Sequence, residues 1–306
     1  MEIKNVAMVG LGAIGTVFAR HIIKTAESFA VVAGGSRGEK IRQNGQTING
    51  EHITPNVVNP NDTNWKADLV IFTVKNYQLE QAIEDVKNIV TKDTILLTII
   101  NGVSARDRIK SFYPDNTVLY GLCSTDAERD KTGGIYCSYE GQIKFGNADN
   151  TVMSPEVKAV KELFDASGID SEAPKDMMRA LWYKFMVNVS VNQLSAVTHS
   201  GYGGFVKIPE LNNALRQVMG EVITLANKMG INITQSDAEE HINDMSGSDP
   251  DGMTSMLQDV VSKRKTEVDY FAGTMIQLGK KYNVPTPWND RLYLLIKTIE
   301  TLYLAN

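Results

Sequence analysis

Short apolar runs and longer polar stretches alternate along the chain up to about residue 172. The runs at residues 5–10, 29–34, 67–74 and 94–100 are almost entirely apolar, and polar stretches of helical length separate most of them. Strands of this kind are typical of a parallel sheet that is covered on both faces, so the pattern predicts a doubly wound α/β domain. A later segment, "IYCSYEGQIKFG", alternates around Glu140–Gly141 and predicts an antiparallel hairpin at the sheet edge.

The pattern changes after Pro174. Helix-length segments follow one another at residues 176–199, 210–229, 236–245, 254–282 and 288–304, with glycine and proline residues between them. Ser236 and Glu239 match a capping box at the start of the third helix. The sequence therefore predicts an α/β domain over residues 1–174, followed by an all-α domain over residues 175–306.

A glycine motif, "VGLGAIG", follows the first apolar run and opens a predicted helix. In this setting Gly10, Gly12 and Gly15 are typical of a Rossmann-type dinucleotide site, because they allow a tight turn and close approach of a pyrophosphate. The residues of the candidate loop are Gly10, Leu11, Gly12, Ala13, Ile14 and Gly15. After the second run, "AGGSRGEK" contains Arg37 but no acid before Glu39. A guanidinium suits a 2′-phosphate, so NADP(H) is favoured over NAD(H); a solvated surface arginine is the alternative.

One segment of the second half, "YKFMVNVSVNQLSAV" at residues 183–197, carries polar side chains within an apolar run. Its valines alternate as in a strand, but the turn-free stretch around it is too long for a typical strand. In a helix, Lys184, Asn188 and Asn192 lie within about 80° of one another and form one polar stripe. Two explanations are open: the stripe faces a ligand, or its amides pair inside a helix bundle while Lys184 extends outward.

Further polar residues lie where ligands commonly bind. Lys75 and Asn101 each follow an apolar strand, and open α/β sheets bind ligands beyond the carboxyl ends of their strands. In the helical half, Ser255 lies near the start of a predicted helix, and Glu267 lies about three turns later in the same helix. Periodicity alone favours a solvated amphipathic helix for this last region.

Composition narrows the classes of function. A net charge of −5 argues against a basic nucleic-acid footprint, and no apolar run has the length of a membrane span. Cys123 and Cys137 form neither a metal framework nor a disulfide scaffold, and the four histidines lack zinc-ligand spacing. We therefore expect a cytoplasmic protein that acts on a small molecule without a metal. The sequence leaves the oligomeric state open, with a homodimer as one candidate.

Two rival classes remain. "GGSRG" matches the nucleophile elbow of α/β-hydrolases, with Ser36 as nucleophile and His199 or His241 as base. That elbow normally follows a central strand, whereas here it follows the second strand after a dinucleotide fingerprint. The other rival is a catalytically idle NADPH-binding sensor.

The order of these motifs resembles that of the ketopantoate reductases (2-dehydropantoate 2-reductases) over essentially the whole chain. The matching pieces are "VGLGAIG", "TVKNYQ", "INGV", "LWYKFMVNVSVNQLSAV", "TSMLQDV", "RKTEVDYFAG" and "VPTPWN". The resemblance implies a Rossmann domain that binds NADP(H), a helical substrate domain, and reduction of ketopantoate to D-pantoate in pantothenate biosynthesis. A related D-2-hydroxyacid dehydrogenase that acts on another 2-oxoacid is the alternative.

The resemblance also implies roles for individual residues. Lys184 matches the catalytic lysine of the family, and Glu267 matches its essential glutamate. The positions that match substrate contacts are Asn101, Lys184, Asn188, Asn192 and Ser255, and those that match the coenzyme side are the glycine loop, Arg37, Lys75, Asn101 and Ala127. The polar stripe is then expected to face the cleft between the domains. Two features depart from the family pattern: "AGGSRG" is longer than the usual junction between strand and arginine, and Tyr202 stands where some members have asparagine.

Overall fold

The computed structural model describes residues 2–130 and 133–304, which form two compact units. The N-terminal unit comprises residues up to 101 together with 105–177, and the C-terminal unit comprises 102–104 together with the residues from 178 onward. The first unit combines a sheet with helices, and the second is helical. The predicted fold class, a Rossmann-type α/β domain followed by an all-α domain, is therefore confirmed.

The sheet belongs to the N-terminal unit. Its strands are β1 (Asn5–Val9), β2 (Ser28–Val32), β3 (Gln46–Ile48), β4 (Glu51–Ile53), β5 (Asn56–Val58), β6 (Leu69–Phe72), β7 (Ile95–Thr98), β8 (Val118–Arg129), β9 (Ile135–Gly146) and β10 (Ser171–Glu172). The helices of this unit are α1 (Ala13–Ile22), α2 (Gly35–Asn44), α3 (Leu79–Asp85), α4 (Ala105–Phe112) and α5 (Pro155–Ala166), with a 3-10 turn at Asn76–Gln78.

Six strands of the sheet pair in the order β5-β2-β1-β6-β7-β8, and every pair among them is parallel. Along β1 the side chains alternate between two apolar clusters: Val6 and Met8 lie in one, and Ala7 and Val9 lie in the other. Burial on both faces explains why these strands read as continuous apolar runs. The strand order reverses between β1 and β6, which is the point where sheets of this class bind their ligands.

The predicted hairpin turn at Glu140–Gly141 is wrong. Residues 135–146 form one strand, β9, which pairs antiparallel with β8, and two register shifts occur between Ser124 and Ala127. Gly141 lies in this irregular region with φ +75°, and a Cβ atom there would come within 1.5 Å of the Ser124 carbonyl oxygen. The glycine marks a β-bulge, which uses the same left-handed backbone conformation as many hairpin turns.

The C-terminal unit is built from helices connected by short turns. They are α6 (Met177–Val187), a π turn (Asn188–Asn192), α7 (Gln193–Thr198), α8 (Tyr202–Lys207), α9 (Pro209–Lys228), α10 (Gln235–Asp244), α11 (Ser255–Val261), α12 (Ala272–Tyr282) and α13 (Pro287–Leu304), with 3-10 turns at Met245–Gly247 and Val268–Tyr270. No helix in the described part of the chain has both the length and the apolar character of a membrane span.

The predicted helix over residues 254–282 is two helices, α11 and α12. Lys263 has φ +54°, its N–H donates to the Val260 carbonyl, and the Arg264 N–H donates to the Asp259 carbonyl. This pattern is a Schellman motif, which ends a helix. Glycine usually occupies the left-handed position, and a lysine there leaves no signal in the sequence. Glu267 therefore lies outside the α-helices.

The capping box of α10 lies two residues before the predicted pair Ser236 and Glu239. Thr234 is the N-cap: its hydroxyl accepts from the Asp237 N–H at 3.2 Å, and Asp237 accepts from the Thr234 N–H at 2.7 Å. Arg179 donates to both carboxylate oxygens of Asp237, at 3.0 and 2.7 Å. Hydrogen bonding to the Arg179 guanidinium lowers the pKa of Asp237 from 3.8 to about 2. The ionised carboxylate thus joins the start of α10 to α6.

We expect Asp237→Asn to lower the free energy of unfolding at pH 7 by on the order of 1–2 kcal/mol. Because folding lowers the pKa of this carboxyl group, its contribution is complete above the unfolded pKa, near 3.8, and is lost as the pH falls through about 2. Urea unfolding of the two proteins at pH 7 and pH 3 measures this change. Asp244→Asn, at the exposed end of the same helix, is the control and should not be destabilising at either pH. A loss that does not shrink at pH 3 would contradict the assignment.

The glycines of the loop between β1 and α1 provide a second test. A Cβ atom on Gly15 would come within 2.1 Å of the Gly10 carbonyl oxygen, whereas one on Gly12 would have no heavy atom within 4 Å. We expect Gly15→Ala to cost at least about 1–3 kcal/mol of stability, as overpacking does. Gly12→Ala should cost less than about 1 kcal/mol, because Gly12 is a helix N-cap with negative φ. Equal losses in urea unfolding would show that the loop relaxes around the added methyl group.

Candidate functional site

The glycine loop of the N-terminal unit leaves the start of α1 open. Gly10 follows β1 with φ +103°, Leu11 and Gly15 are buried, and Gly12, Ala13 and Ile14 are partly exposed. Gly12 makes no side-chain cap, and its carbonyl accepts the Thr16 N–H at 2.9 Å. The N–H groups of the first turn are therefore free of a side-chain cap, and the helix dipole favours an anion beside them.

Thr73, directly after β6, holds this loop in place. Its hydroxyl donates to the Val9 carbonyl at 3.1 Å and also to the Gly10 carbonyl. These bonds join the ends of β1 and β6, the two strands between which the strand order reverses. The loop is thus fixed at the position where a doubly wound sheet binds a dinucleotide.

Lys75 and Asn101 follow neighbouring strands, and Asn76 connects their backbones. Asn76 is fully buried, and its side-chain amide donates to the Asn101 carbonyl at 2.8 Å. Arg108 in turn donates to the Asn76 side-chain oxygen at 3.2 Å. The sequence prediction missed Asn76, whose only signal was an amide in the "VKNY" turn. The structure therefore brings the two predicted positions to one edge of the sheet.

Arg37 lies near the start of α2 and is exposed. It lines two cavities of this unit, of about 640 and 390 Å³. Gly12, Lys40 and Arg129 also line the larger cavity, which has no carboxylate among its described lining residues. Gln78 lines the smaller one, together with apolar side chains of the strand ends.

The sequence prediction missed Lys40, Arg129 and Gln78. Lys40 could have been found from its position one helical turn after Arg37, whereas Arg129 reaches the cavity only through the pairing of β8 and β9. Ala127 is half-buried in β8 opposite Cys137 and packs against the apolar core. Among the described residues, Arg129 rather than Ala127 lines the larger cavity.

In the C-terminal unit, Lys184, Asn188 and Asn192 lie on one continuous helical segment. Lys184 belongs to α6, and the two asparagines are the first and last residues of the π turn. The side-chain amide of Asn192 donates to the Asn188 oxygen at 3.3 Å and to the Ser255 hydroxyl at 3.5 Å. The structure thus brings Asn188, Asn192 and Ser255 together, with Lys184 one turn before Asn188. Their spacing differs from that of a regular α-helix, because a π turn has i→i+5 hydrogen bonds.

The amide nitrogen of Asn188 is buried and has no hydrogen-bond partner within the described structure. An unsatisfied buried donor costs about 1–3 kcal/mol, so folded proteins keep few of them. π turns are themselves uncommon and occur often at functional sites. An unpaired donor on such a turn, beside an amide and a hydroxyl, is typical of a surface that binds a polar ligand.

Glu267 directly precedes the 3-10 turn at Val268–Tyr270, and it is only 4% exposed. Its backbone carbonyl accepts from the Tyr270 N–H at 2.9 Å. The preceding residue, Thr266, donates to Glu300 from both its N–H and its hydroxyl, each at 2.6 Å. The end of α13 therefore holds the backbone that carries Glu267. A buried carboxylate of this kind requires charged or hydrogen-bonding partners.

The residues of the hydrolase alternative do not belong to one unit. Ser36 lies in α2 of the N-terminal unit, whereas His199 and His241 belong to the C-terminal unit. Within residues 2–130 and 133–304, no cluster of three His, Cys, Asp or Glu side chains could hold a metal ion.

Known proteins resemble this chain over nearly its full length. A 2-dehydropantoate 2-reductase of Vibrio cholerae is 26% identical over 97% of this chain and 98% of its own. Among solved structures, a D-mandelate dehydrogenase in complex with NADH and anilino(oxo)acetate superposes with a TM-score of 0.88 at 23% identity, covering 98% of this chain and 99% of its own. A 2-dehydropantoate 2-reductase from Methylococcus capsulatus superposes with a TM-score of 0.86 at 24% identity, covering 98% and 97%.

Two family models match successive parts of the chain. The model described as ketopantoate reductase PanE/ApbA matches residues 6–150, and the model of the C-terminal region of the same family matches residues 176–300. Together they cover most of the chain, and the second match begins one residue before α6. The resemblance inferred from the motifs is confirmed: the chain belongs to the ketopantoate reductase family of oxidoreductases.

Proposed function

We propose that this protein is a 2-dehydropantoate 2-reductase, which reduces ketopantoate to D-pantoate with NADPH. The observation that carries the proposal is the unpaired buried amide of Asn188, which lies with Asn192 on the helical segment that carries Lys184, next to Ser255 at the start of α11. The amides and the hydroxyl offer hydrogen bonds to the carboxylate and the hydroxyl of a 2-oxoacid. The reaction belongs to pantothenate biosynthesis in the cytoplasm, and the two free cysteines are in keeping with a reducing compartment.

In this proposal, Lys184 is the catalytic acid. The glycine loop, Lys75 and Asn101 would hold a nicotinamide coenzyme, which would supply a hydride to the carbonyl carbon and leave negative charge on the carbonyl oxygen. The Lys184 ammonium stabilises that charge and donates the proton that makes the hydroxyl group. Glu267 is assigned to this site as a buried carboxylate that offers a negatively charged partner to the Lys184 ammonium. Asn188, Asn192 and Ser255 orient the substrate.

The N-terminal unit has the features that a nicotinamide dinucleotide requires. The open loop at Gly12 and the uncapped start of α1 suit the pyrophosphate, and Lys75 and Asn101 lie at the neighbouring strand ends. We propose NADPH as the preferred coenzyme, because Arg37, Lys40 and Arg129 line one cavity that has no carboxylate among its described lining residues. Three cations in that position suit a 2′-phosphate.

The second candidate is a D-2-hydroxyacid dehydrogenase that acts on a bulkier 2-oxoacid, with NADH as coenzyme. Its support is the superposition with the D-mandelate dehydrogenase that was solved with NADH. In addition, Arg37 is exposed on α2 rather than located at the end of β2, where Gly34 and Gly35 stand. Tyr202, in the position of an asparagine of some members, is a large aromatic side chain.

One assay separates the two candidates. The purified protein is given ketopantoate, 2-oxoisovalerate or phenylglyoxylate with NADPH or NADH, and kcat/KM is measured for each pair. We expect ketopantoate with NADPH to have the highest value. If phenylglyoxylate with NADH is best, the second candidate is correct. If no 2-oxoacid is reduced with either coenzyme, both candidates are wrong.

Lys184→Ala should reduce kcat by about 10²–10⁴-fold, the usual range for a general acid. The affinity for NADPH, measured by fluorescence titration, should stay within about twofold, because the proposed coenzyme residues lie in the N-terminal unit. Lys228→Ala, at the exposed end of α9, is the matched control and should keep normal turnover. Near-normal turnover of the Lys184 variant would rule out this lysine as the acid. Loss of coenzyme binding would show instead a structural role.

Arg37→Ala should weaken NADPH binding by about 1.5–3 kcal/mol, the scale of a charged hydrogen bond, and leave NADH binding nearly unchanged. The dissociation constants of both coenzymes are measured for the unmodified protein and the variant. The control is Arg42→Ala. Arg42 lies on the same helix, pairs with Glu39 and lines neither cavity. Equal affinities of the unmodified protein for NADPH and NADH would contradict the proposed preference.

A further inference from the structure

Gln193 lies directly after the π turn and is fully buried. Its side-chain nitrogen donates to the Val189 carbonyl at 2.6 Å and to the Asn289 oxygen at 3.2 Å. Its side-chain oxygen accepts the Ala272 N–H at 3.2 Å. Both donors and the acceptor of this amide are therefore used. The three bonds join the π turn to the first residue of α12 and to the first turn of α13.

Asn289 is held in turn by Glu221. The Glu221 carboxylate accepts from the Asn289 side-chain amide at 2.9 Å, from the Asn289 N–H at 3.2 Å and from the Trp288 N–H at 2.7 Å. A carboxylate at the N-terminus of α13 satisfies backbone donors that the helix itself cannot satisfy, and it favours the dipole. These contacts orient Asn289 so that its oxygen faces Gln193. Glu221 thus fixes the outer end of this hydrogen-bond network, at Asn289.

The inner end of the network lies at the residues assigned to the substrate. Val189 follows Asn188 and lies within the same π turn as Asn192. Ala272 follows the short segment that contains Glu267 and the 3-10 turn. The N–H of Ala272 has no acceptor within its own helix, because it is the first residue of α12. One side chain therefore holds both the turn with the two asparagines and the segment that follows Glu267.

We propose that Gln193 is a positioning residue, which keeps Asn188 and Asn192 in register with Glu267. The identity of the ligand rests on the function proposed above, but the connection that Gln193 makes between the π turn and α12 does not. A methionine has a similar length and could fill the same space without any polar group. The amide is explained by its effect on the π turn, α12 and α13, because a fully satisfied buried network holds its members in one arrangement.

The first test is Gln193→Met in the intact protein. We expect kcat/KM for ketopantoate to fall by about 10- to 100-fold, as for small displacements of a substrate-binding group, while NADPH affinity changes less than about twofold. Ile242→Ala, in the core of α10, is the control for lost stability. At a similar decrease in thermal midpoint, the control should keep a normal kcat/KM. If the two variants lose the same activity, the effect of Gln193 is only structural and the proposal is wrong.

A double-mutant cycle measures the connection directly. Gln193→Met combined with Asn192→Ala should lose less activity than the product of the single effects, because both changes act through the π turn. Gln193→Met combined with Arg37→Ala should show independent effects, since the two residues belong to different units and share no hydrogen-bond partner among the described residues. Independent effects in the first pair would overturn the proposal. If Gln193→Met does not fold, Asn289→Leu removes one partner of Gln193 and should act in the same direction by a smaller factor.

A readout that does not need activity separates this inference from the proposed function. Hydrogen–deuterium exchange is measured for peptides that cover the π turn, the start of α12 and, as a control, α10. Gln193→Met should speed exchange in the first two and leave the third unchanged. If exchange is faster as expected but the unmodified protein reduces no 2-oxoacid, the connection made by Gln193 is supported and the proposed substrate is rejected. Unchanged exchange in the first two peptides would reject the connection, whatever the activity.

Discussion

The rule that buried polar groups need partners determines the structure of the C-terminal unit. Lys184, Asn188, Asn192 and Gln193 all lie on a segment that packs among the apolar side chains of the helical core. Gln193 satisfies the rule completely through Val189, Ala272 and Asn289. Asn188 does not satisfy it, and its free amide nitrogen is the strongest local indication of a binding surface. The roles proposed for these two amides are therefore opposite: Gln193 organises the helices, and Asn188 takes part in recognition.

In the N-terminal unit the corresponding constraint is close packing of backbone against backbone. A side chain on Gly10 would meet Thr73 and Val74, and one on Gly15 would meet the Gly10 carbonyl oxygen. Thr73 also fastens this loop to the adjacent strand. Gly12, in contrast, borders open space. The same three-glycine motif therefore contains two residues that shape the loop and one that leaves room for a ligand.

The fold class could be predicted from the sequence because it depends on periodicity over many residues. The helix at residues 183–197 was also predicted correctly, on length rather than on its strand-like alternation, but the π turn within it was not. Gln193, which directly follows the π turn, is hydrogen-bonded to α12 and α13, and these helices are distant in the sequence. The helix end at Lys263 and the bulge at Gly141 were missed for a different reason. Lys263 has the positive φ of a helix end but is not a glycine, and Gly141 has a positive φ within a strand rather than in a turn. The grouping of Asn188, Asn192 and Ser255 agrees with the motifs, whereas Asn76 and Gln193 became visible only through their hydrogen bonds.

The irregular pairing of β8 with β9 restricts how the chain can change in length. The partner of Ser124 is Gln142, that of Asp126 is Tyr139 and that of Ala127 is Cys137, so β9 contains two more residues than β8 between the first and last pairs. Because side chains alternate between the two faces of a strand, an excess of two residues returns Cys137 to the face that Ile143 occupies, and both are buried. Loss of one residue from β9 here would reverse the faces of the residues between the bulge and Ile135, which would expose Ile135 and Cys137. Loss of two residues would restore regular pairing with β8. Length changes within the irregular part of the β8–β9 pairing should therefore be tolerated in even numbers.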